Sequence, residues 1–163
     1  MDTRASALNL HSVELLKRWD LWSSLGSYTG TIGDIHVSHR GHFGSALMTA
    51  EELDVPALGY VVENHELGRA LLARAEQLGV NVRAPVRCVS LEAGAEKPAV
   101  LTDEGGRLTA DLVLLAAGFA KEWFEKLGIG VEERPTGNHA VVFNASFPGV
   151  QQGRAFERFT PHG

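Results

Sequence analysis

The sequence predicts a mixed α/β fold in which strands outnumber helices, and three patterns carry that prediction. Apolar side chains recur at helical spacing over residues 12–25 and 65–78. β-Branched residues alternate with polar ones from Thr31 onward, and residues 112–117 form an unbroken apolar run. The chain has 163 residues, 44% hydrophobic and 21% charged. That is enough for one ordinary domain, or two small lobes, with a genuine core.

In the first segment Val13, Leu16, Trp19, Trp22 and Leu25 recur every third position, which keeps them on one stripe. Ser12 is the expected N-cap, Glu14 favours the first turn, and Gly26 is the stop. Asp20 is the point where the segment divides into two short helices. Trp19 and Trp22 are assigned to the core. Ile35 and Val37 then alternate with His36 and Ser38 and are followed by Arg40-Gly41-His42-Phe43-Gly44 and a second short strand over 45–49. This reads as a β-hairpin. Residues 58–63 form another strand.

Residues 65–78 are the clearest helix, with Leu67, Leu71, Leu72, Ala75 and Leu78 on one face, Asn64 as N-cap and Gly79 as stop. Short strands are expected over 80–82, 86–91 and 99–102, with Asp103-Glu104-Gly105-Gly106 as a turn. The apolar run 112–117, ending at Gly118, suits a strand covered on both faces in a parallel sheet. A short helix over 121–127 and strands over 139–147 and 154–160 complete the list. The chain stops just after a strand and starts just before a helix, so both ends read as cut.

The net charge is −5. That argues against a nucleic-acid protein, which needs clustered Lys and Arg. The single cysteine, Cys88, excludes an internal disulfide framework and a cysteine-rich zinc site, and fits a reducing compartment. It is read as a buried structural thiol. The apolar runs are too short for a membrane span and the charged N-terminus does not read as a signal peptide, so a cytoplasmic location is expected.

The chain contains neither a Gly-x-Gly-x-x-Gly loop after a strand nor a Gly-Lys-Ser/Thr phosphate loop. His36, His39 and His42 are spaced by three, but on a strand His36 and His39 point to opposite sides, so no metal site is predicted. A hydrolytic triad lacks its Gly-x-Ser-x-Gly elbow. Asp111 reads as a solvated strand edge. No catalytic acid, base or nucleophile is assigned.

Several stretches resemble the UbiH-like flavin-dependent aromatic monooxygenases of ubiquinone biosynthesis, the octaprenyl-methoxyphenol hydroxylase type. The stretch Asp2-Thr3-Arg4-Ala5-Ser6-Ala7-Leu8 is similar to the family's Asp-x-Arg-x-x-Ala-Leu segment. Residues 35–44 resemble its His-Val-Ser-Asp-Arg-Gly-His hairpin. Residues 57–64 resemble the strand returning to the flavin domain, and residues 153–163 a strand near the active site. The hairpin and the final segment are the specific matches.

The resemblance implies a partial FAD-binding fold of the p-hydroxybenzoate hydroxylase type, lacking the N-terminal Gly-x-Gly-x-x-Gly βαβ unit and the C-terminal part. Residues 1–30, 57–92 and 97–130 would belong to the FAD-binding domain. Residues 31–56 and 131–163 would belong to a substrate-binding β-sheet domain. Arg4 and Asn64 would approach FAD, and Phe156, Arg158 and Phe159 a polyprenylated phenol substrate. NAD(P)H would be the reductant. The flavin carries such chemistry, while the protein positions the ring and excludes water.

One departure stands out. Where the family carries Ala-Asp-Gly, this chain reads Ala116-Ala117-Gly118. A methyl group replaces a carboxylate tied to cofactor binding, so the chain alone is expected to be inactive. The alternative expectation is a remodelled, non-catalytic module that binds an apolar ligand or a protein partner. An open sheet edge predicts a homo-oligomer or domain swap, and the resemblance adds peripheral attachment to the inner membrane as an alternative to a free cytoplasmic location.

Overall fold

The computed structural model describes residues 4–93, 97–116, 118, 121–145, 148 and 153–161. In chain order the elements are β1 (Ala5–Asn9), α1 (Leu10–Arg18), α2 (Trp22–Leu25), β2 (Thr29–Ile32), β3 (Asp34–His39), β4 (Ser45–Thr49), β5 (Gly59–Glu63), α3 (Asn64–Gln77), β6 (Cys88–Glu92), β7 (Ala99–Thr102), β8 (Arg107–Thr109), α4 (Lys121–Lys126) and β9 (Arg154–Phe159). They fall into two compact units, Met1–Val80 with Val141–Gly163, and Asn81–Ala140.

In the first unit, α1 starts earlier than its sequence suggests because Asn9, not Ser12, caps it. The Ser12 N–H donates to Asn9 Oδ1 at 2.8 Å. Asp20 adopts φ 59°, a left-handed conformation that separates α1 from α2 as expected. Helix α3 begins at Asn64 itself, and its cap residue Glu63 makes no side-chain capping bond. The expected Asn64 cap is corrected because the Asn64 side chain is engaged elsewhere.

Strands β1, β5 and β2 form an antiparallel sheet with β5 in the centre. Its register puts Ser6, Leu8, Tyr60 and Val62 on one face and Ala5, Ala7, Val61 and Glu63 on the other. The first face is the core face. Leu16, Leu21, Leu25, Val62 and Ala70 cluster there, with Leu8, Trp22 and Leu67 against them. Trp22 meets the Tyr60 ring edge-on at 5.0 Å. Two core assignments change. Trp19 is 54% exposed, and α3 buries Ala70 while Leu71, Leu72 and Leu78 stand in solvent. The stripe facing the core runs through Leu67 and Ala70, three residues apart, one step round the helix from the leucine-rich face.

The chain passes from this sheet into a second at Gly33, whose N–H donates to the Gly153 carbonyl at 2.7 Å. There β3 pairs antiparallel with β4 and parallel with β9. The hairpin expected over residues 35–49 is present, as is the strand expected from Arg154.

In the second unit β6, β7 and β8 form an antiparallel sheet. Gly105, with φ 78°, turns the chain between β7 and β8, and Thr102 Oγ1 accepts the Gly106 N–H at 3.1 Å. Three expected strands do not form. Residues 80–82 are irregular, and so are residues 112–116, where Leu112 and Leu114 are 72% and 82% exposed. Residues 139–145 are irregular too, while Ser146 and Phe147 lie outside the described residues. An apolar run becomes a strand only where a neighbour pairs its backbone, and among the described residues none pairs with these. Ala117 and Asp2 also lie outside the described residues. Cys88 is exposed on β6, which among the described residues pairs with β7 alone, so the expectation of a buried thiol is corrected. Asp111 is at the surface, paired with Lys97 at 2.6 Å. Among the described residues no helix is long and apolar enough to cross a membrane.

Candidate functional site

The two residues assigned to the cofactor meet at one corner of the first sheet. β1 ends beside the start of α3, and the Asn64 N–H donates to the Arg4 carbonyl at 2.9 Å. Ser6 donates its hydroxyl to Asn64 Oδ1 at 2.7 Å in a half-buried position. This bond occupies the oxygen that would have capped α3 and ties the helix start to β1.

The residues next in line, Ala5 and Glu63, are register partners and form one end of a cleft. The cleft opens on the sheet face away from the core and measures about 610 Å³. Its floor is made of small or β-branched residues, Ala5, Gly30 and Val61, and its walls carry Tyr28, Thr29 and Asn144. Small side chains on alternate positions leave a flat, accessible backbone. Arg69 stands over the Tyr28 ring at 5.7 Å and pairs with Glu66 at 2.6 Å. The Glu66 hydrogen bond holds the Arg69 guanidinium above its ordinary pKa.

His65 was not singled out by its sequence context. It sits between two carboxylates, with Nδ1 3.4 Å from Glu63 and Nε2 3.3 Å from Glu66. Its Nδ1 is fully enclosed and has no hydrogen-bond partner of good geometry. Polar contacts thus run from Glu63, at the cleft, through His65 and Glu66 to Arg69, which stands over Tyr28. The available sequence signal was the alternation of Ala5 and Ala7, which marks a small-residue face. Tyr28, Glu63 and Asn144 gave none, because the fold alone brings their segments together.

The three residues assigned to substrate lie on β9, but not on one face. Phe156 and Arg158 share a face with His36 and Ser38, whereas Phe159 shares the other with His39. Phe156 packs beside His36 at 5.7 Å between ring centres, Arg158 reaches Ser38 Oγ at 3.4 Å, and Phe159 stacks on His39 at 6.4 Å. Phe156 and Phe159 are 65% and 50% exposed. One face of β9 therefore presents Phe156 and Arg158 without Phe159. Among the described residues no three metal-ligating side chains converge.

Comparison with solved structures shows the fold: the chain shares part of the mixed α/β architecture of larger proteins, one of them solved with FAD. A variant of P. aeruginosa PqsL superposes with a TM-score of 0.68 at 17% identity, over 83% of this chain and 38% of that one. CtdE, solved with FAD and a substrate, superposes with a TM-score of 0.54 at 17% identity, over 68% and 27%.

The sequence comparisons are more particular. Ubiquinone hydroxylase UbiL of Rhodospirillum rubrum is 32% identical over 168 aligned positions, covering 99% of this chain and 38% of that protein. The 3-demethoxyubiquinol 3-hydroxylase of Escherichia coli is 26% identical, covering 99% and 42%. The chain thus matches a segment of the UbiH-like hydroxylases and spans about two-fifths of the length of these relatives. No family profile matches it.

Proposed function

We infer that the chain is a segment of an FAD-dependent monooxygenase that hydroxylates a polyprenylated phenol in ubiquinone biosynthesis, with NAD(P)H as reductant. The observation that carries this reading is the match along nearly the whole chain to two ubiquinone-pathway hydroxylases. In this reading residues 1–30, 57–92 and 97–130 serve the flavin, and residues 31–56 and 131–163 serve the substrate. Membership of β3, β4 and β9 in one sheet supports that division.

The residues present fit one part of the cofactor. A flat cleft with small floor residues, the Tyr28 ring and Ser27 suits a planar ring system with polar edges. Arg4 and Asn64 come one position beyond Ala5 and Glu63, and since the Asn64 oxygen is held by Ser6 on the core face, they would act on the cofactor by fixing this corner of the sheet. The sequence holds no glycine-rich loop opening a long helix, so these residues do not fit the pyrophosphate. When bound, flavin supplies the oxygen-activating chemistry. This chain's part is to seat the ring and, through Phe156 and Arg158, to face the substrate. The chain alone is inactive in this account.

The test is a chimera in which residues 1–163 replace the matching segment of the Rhodospirillum relative, with and without Ala117→Asp. Flavin incorporation, with hydroxylation recovered by Ala117→Asp, is the expected result. Absence of flavin from both chimeras contradicts the reading.

A second reading, a non-catalytic module for an apolar ligand, is favoured by one observation. The second unit contains a cleft of about 400 Å³ walled by Val86, Leu91, Val100, Leu115 and Trp123, with Cys88 at its edge. Saturable binding of an apolar fluorophore there, together with no flavin binding, would select this reading.

A further inference from the structure

One carboxylate in the cleft has no part in the account so far. Glu63 ends β5 and lines the cleft beside its register partner Ala5. Its side chain is half exposed, and among the described residues neither oxygen accepts a hydrogen bond of good geometry. Its polar neighbour is His65 Nδ1, 3.4 Å from Oε2. Glu66, three residues on, is already engaged. Its Oε2 accepts from Arg69 Nε and Nη2 at 2.8 and 2.6 Å, and His65 Nε2 stands 3.3 Å from Oε1. The charges facing the imidazole are therefore Glu63 from the end of β5 and Glu66 from α3, and Arg69 offsets Glu66 alone.

The imidazole gives Glu63 a fixed place. Nδ1 is enclosed, so water does not reach it, and the Glu63 carboxylate is the acceptor set beside it. A half-exposed glutamate otherwise samples many rotamers, and ordering it on a ligand costs entropy. An N–H at Nδ1 lowers that cost by holding the carboxylate at the cleft end before a ligand arrives. The contact also joins this end of the cleft to the Tyr28 ring, through Glu66 and Arg69.

An ionised carboxylate only accepts hydrogen bonds, and the bonds it accepts are stronger than those of a neutral oxygen. At the end of a cleft floored by Ala5, Gly30 and Val61 it favours a flat ring whose edge carries an N–H, and it repels a phosphate. We propose that Glu63 selects a ring by an N–H edge, the imide N–H in an isoalloxazine, and that His65 is its positioning residue. The proposal rests on the reading of the cleft as a ring site and adds which edge of the ring enters it. An edge without the N–H leaves the carboxylate partly desolvated and unpaired, which is the costly case for a polar site.

The test is fluorescence titration of the 163-residue chain with riboflavin and with N3-methylriboflavin, in which a methyl group replaces the imide N–H. The wild-type chain is expected to bind riboflavin about tenfold tighter. In Glu63→Ala the preference should fall to within about twofold, which a purely steric rejection of the methyl group would not do. Glu63→Gln keeps an acceptor and should keep a preference. His65→Phe should lower the preference about threefold, and His65→Gln, whose amide donates, should restore it. Circular dichroism checks that each variant is folded. Equal binding of the two flavins by the wild-type chain, or a preference unchanged in Glu63→Ala, overturns the proposal and leaves the ring site standing. A preference unchanged in His65→Phe overturns the positioning role. Saturation by neither flavin removes the ring site itself, and this selection with it.

Discussion

Arg154 places Nε and Nη2 at 3.0 and 2.6 Å from a single oxygen of Asp34, joining residues 120 positions apart at the start of two parallel strands. Both side chains are about three-quarters to two-thirds buried, so water screens the pair less than it would a surface one. Removing one partner leaves the other half-buried and unpaired. Asp34→Asn is therefore expected to cost about 1–3 kcal/mol in urea unfolding. The double variant Asp34→Asn/Arg154→Met should cost less than the sum of the single changes. A cost below about 0.3 kcal/mol would mean that the pair does not hold β9 in place.

Gly59 is required by a close approach rather than by flexibility. A Cβ there would lie 2.7 Å from the Leu8 carbonyl oxygen, and both are backbone-fixed across the β1–β5 pair. Gly59→Ala should destabilise the chain by about 1–3 kcal/mol. Gly30→Ala, whose Cβ would sit at 3.9 Å from Val61 Cβ, should cost less than about 1 kcal/mol. Thermal unfolding of the two variants separates them, and equal effects would contradict the β1–β5 register.

The face that α3 turns to the core gives a third contrast. Ala70 is 4% exposed, whereas Leu72 is 47% exposed. Ala70→Leu overpacks the cluster around Leu25 and Val62 and should cost about 1–3 kcal/mol. Leu72→Ala should cost under about 1 kcal/mol, since its side chain is already half in water. Chemical denaturation reads both, and the reverse order would restore the leucine-rich face as the buried one.

Cys88 is exposed at the rim of the apolar cleft in the second unit. In the native chain it should react with Ellman's reagent about as fast as an accessible thiol in unfolded protein. Protection that is released only by denaturant would instead mean that the thiol is buried.

Legibility in the sequence followed how local each feature is. The β3–β4 hairpin was readable because Gly41 and Gly44 mark its turn between alternating residues. The division at Asp20 was readable for the same reason. The parallel pairing of β3 with β9 was not, because it joins segments 120 residues apart with no local signature. The run at residues 112–117 was misread because its apolar character states only that it prefers cover, and a strand needs a pairing partner as well. The local sequence marks Asn64 as the cap of α3, and that reading fails because Ser6, 58 positions away, takes its oxygen. The cleft was invisible in sequence because its walls come from residues around 5, 28, 61 and 144.

The central claim is that this chain seats the ring end of a flavin and lacks the phosphate cradle. The direct measurement is parallel titration with FAD and riboflavin, followed by flavin fluorescence, for the wild-type chain, Arg4→Ala and Asn64→Ala. The account predicts weak, saturable binding of both ligands, with affinities within about tenfold of each other, or about 1.4 kcal/mol, and weakened by either substitution. FAD binding far tighter than riboflavin would place a phosphate site in this chain, and saturation by neither would remove the ring site. Either result contradicts the claim.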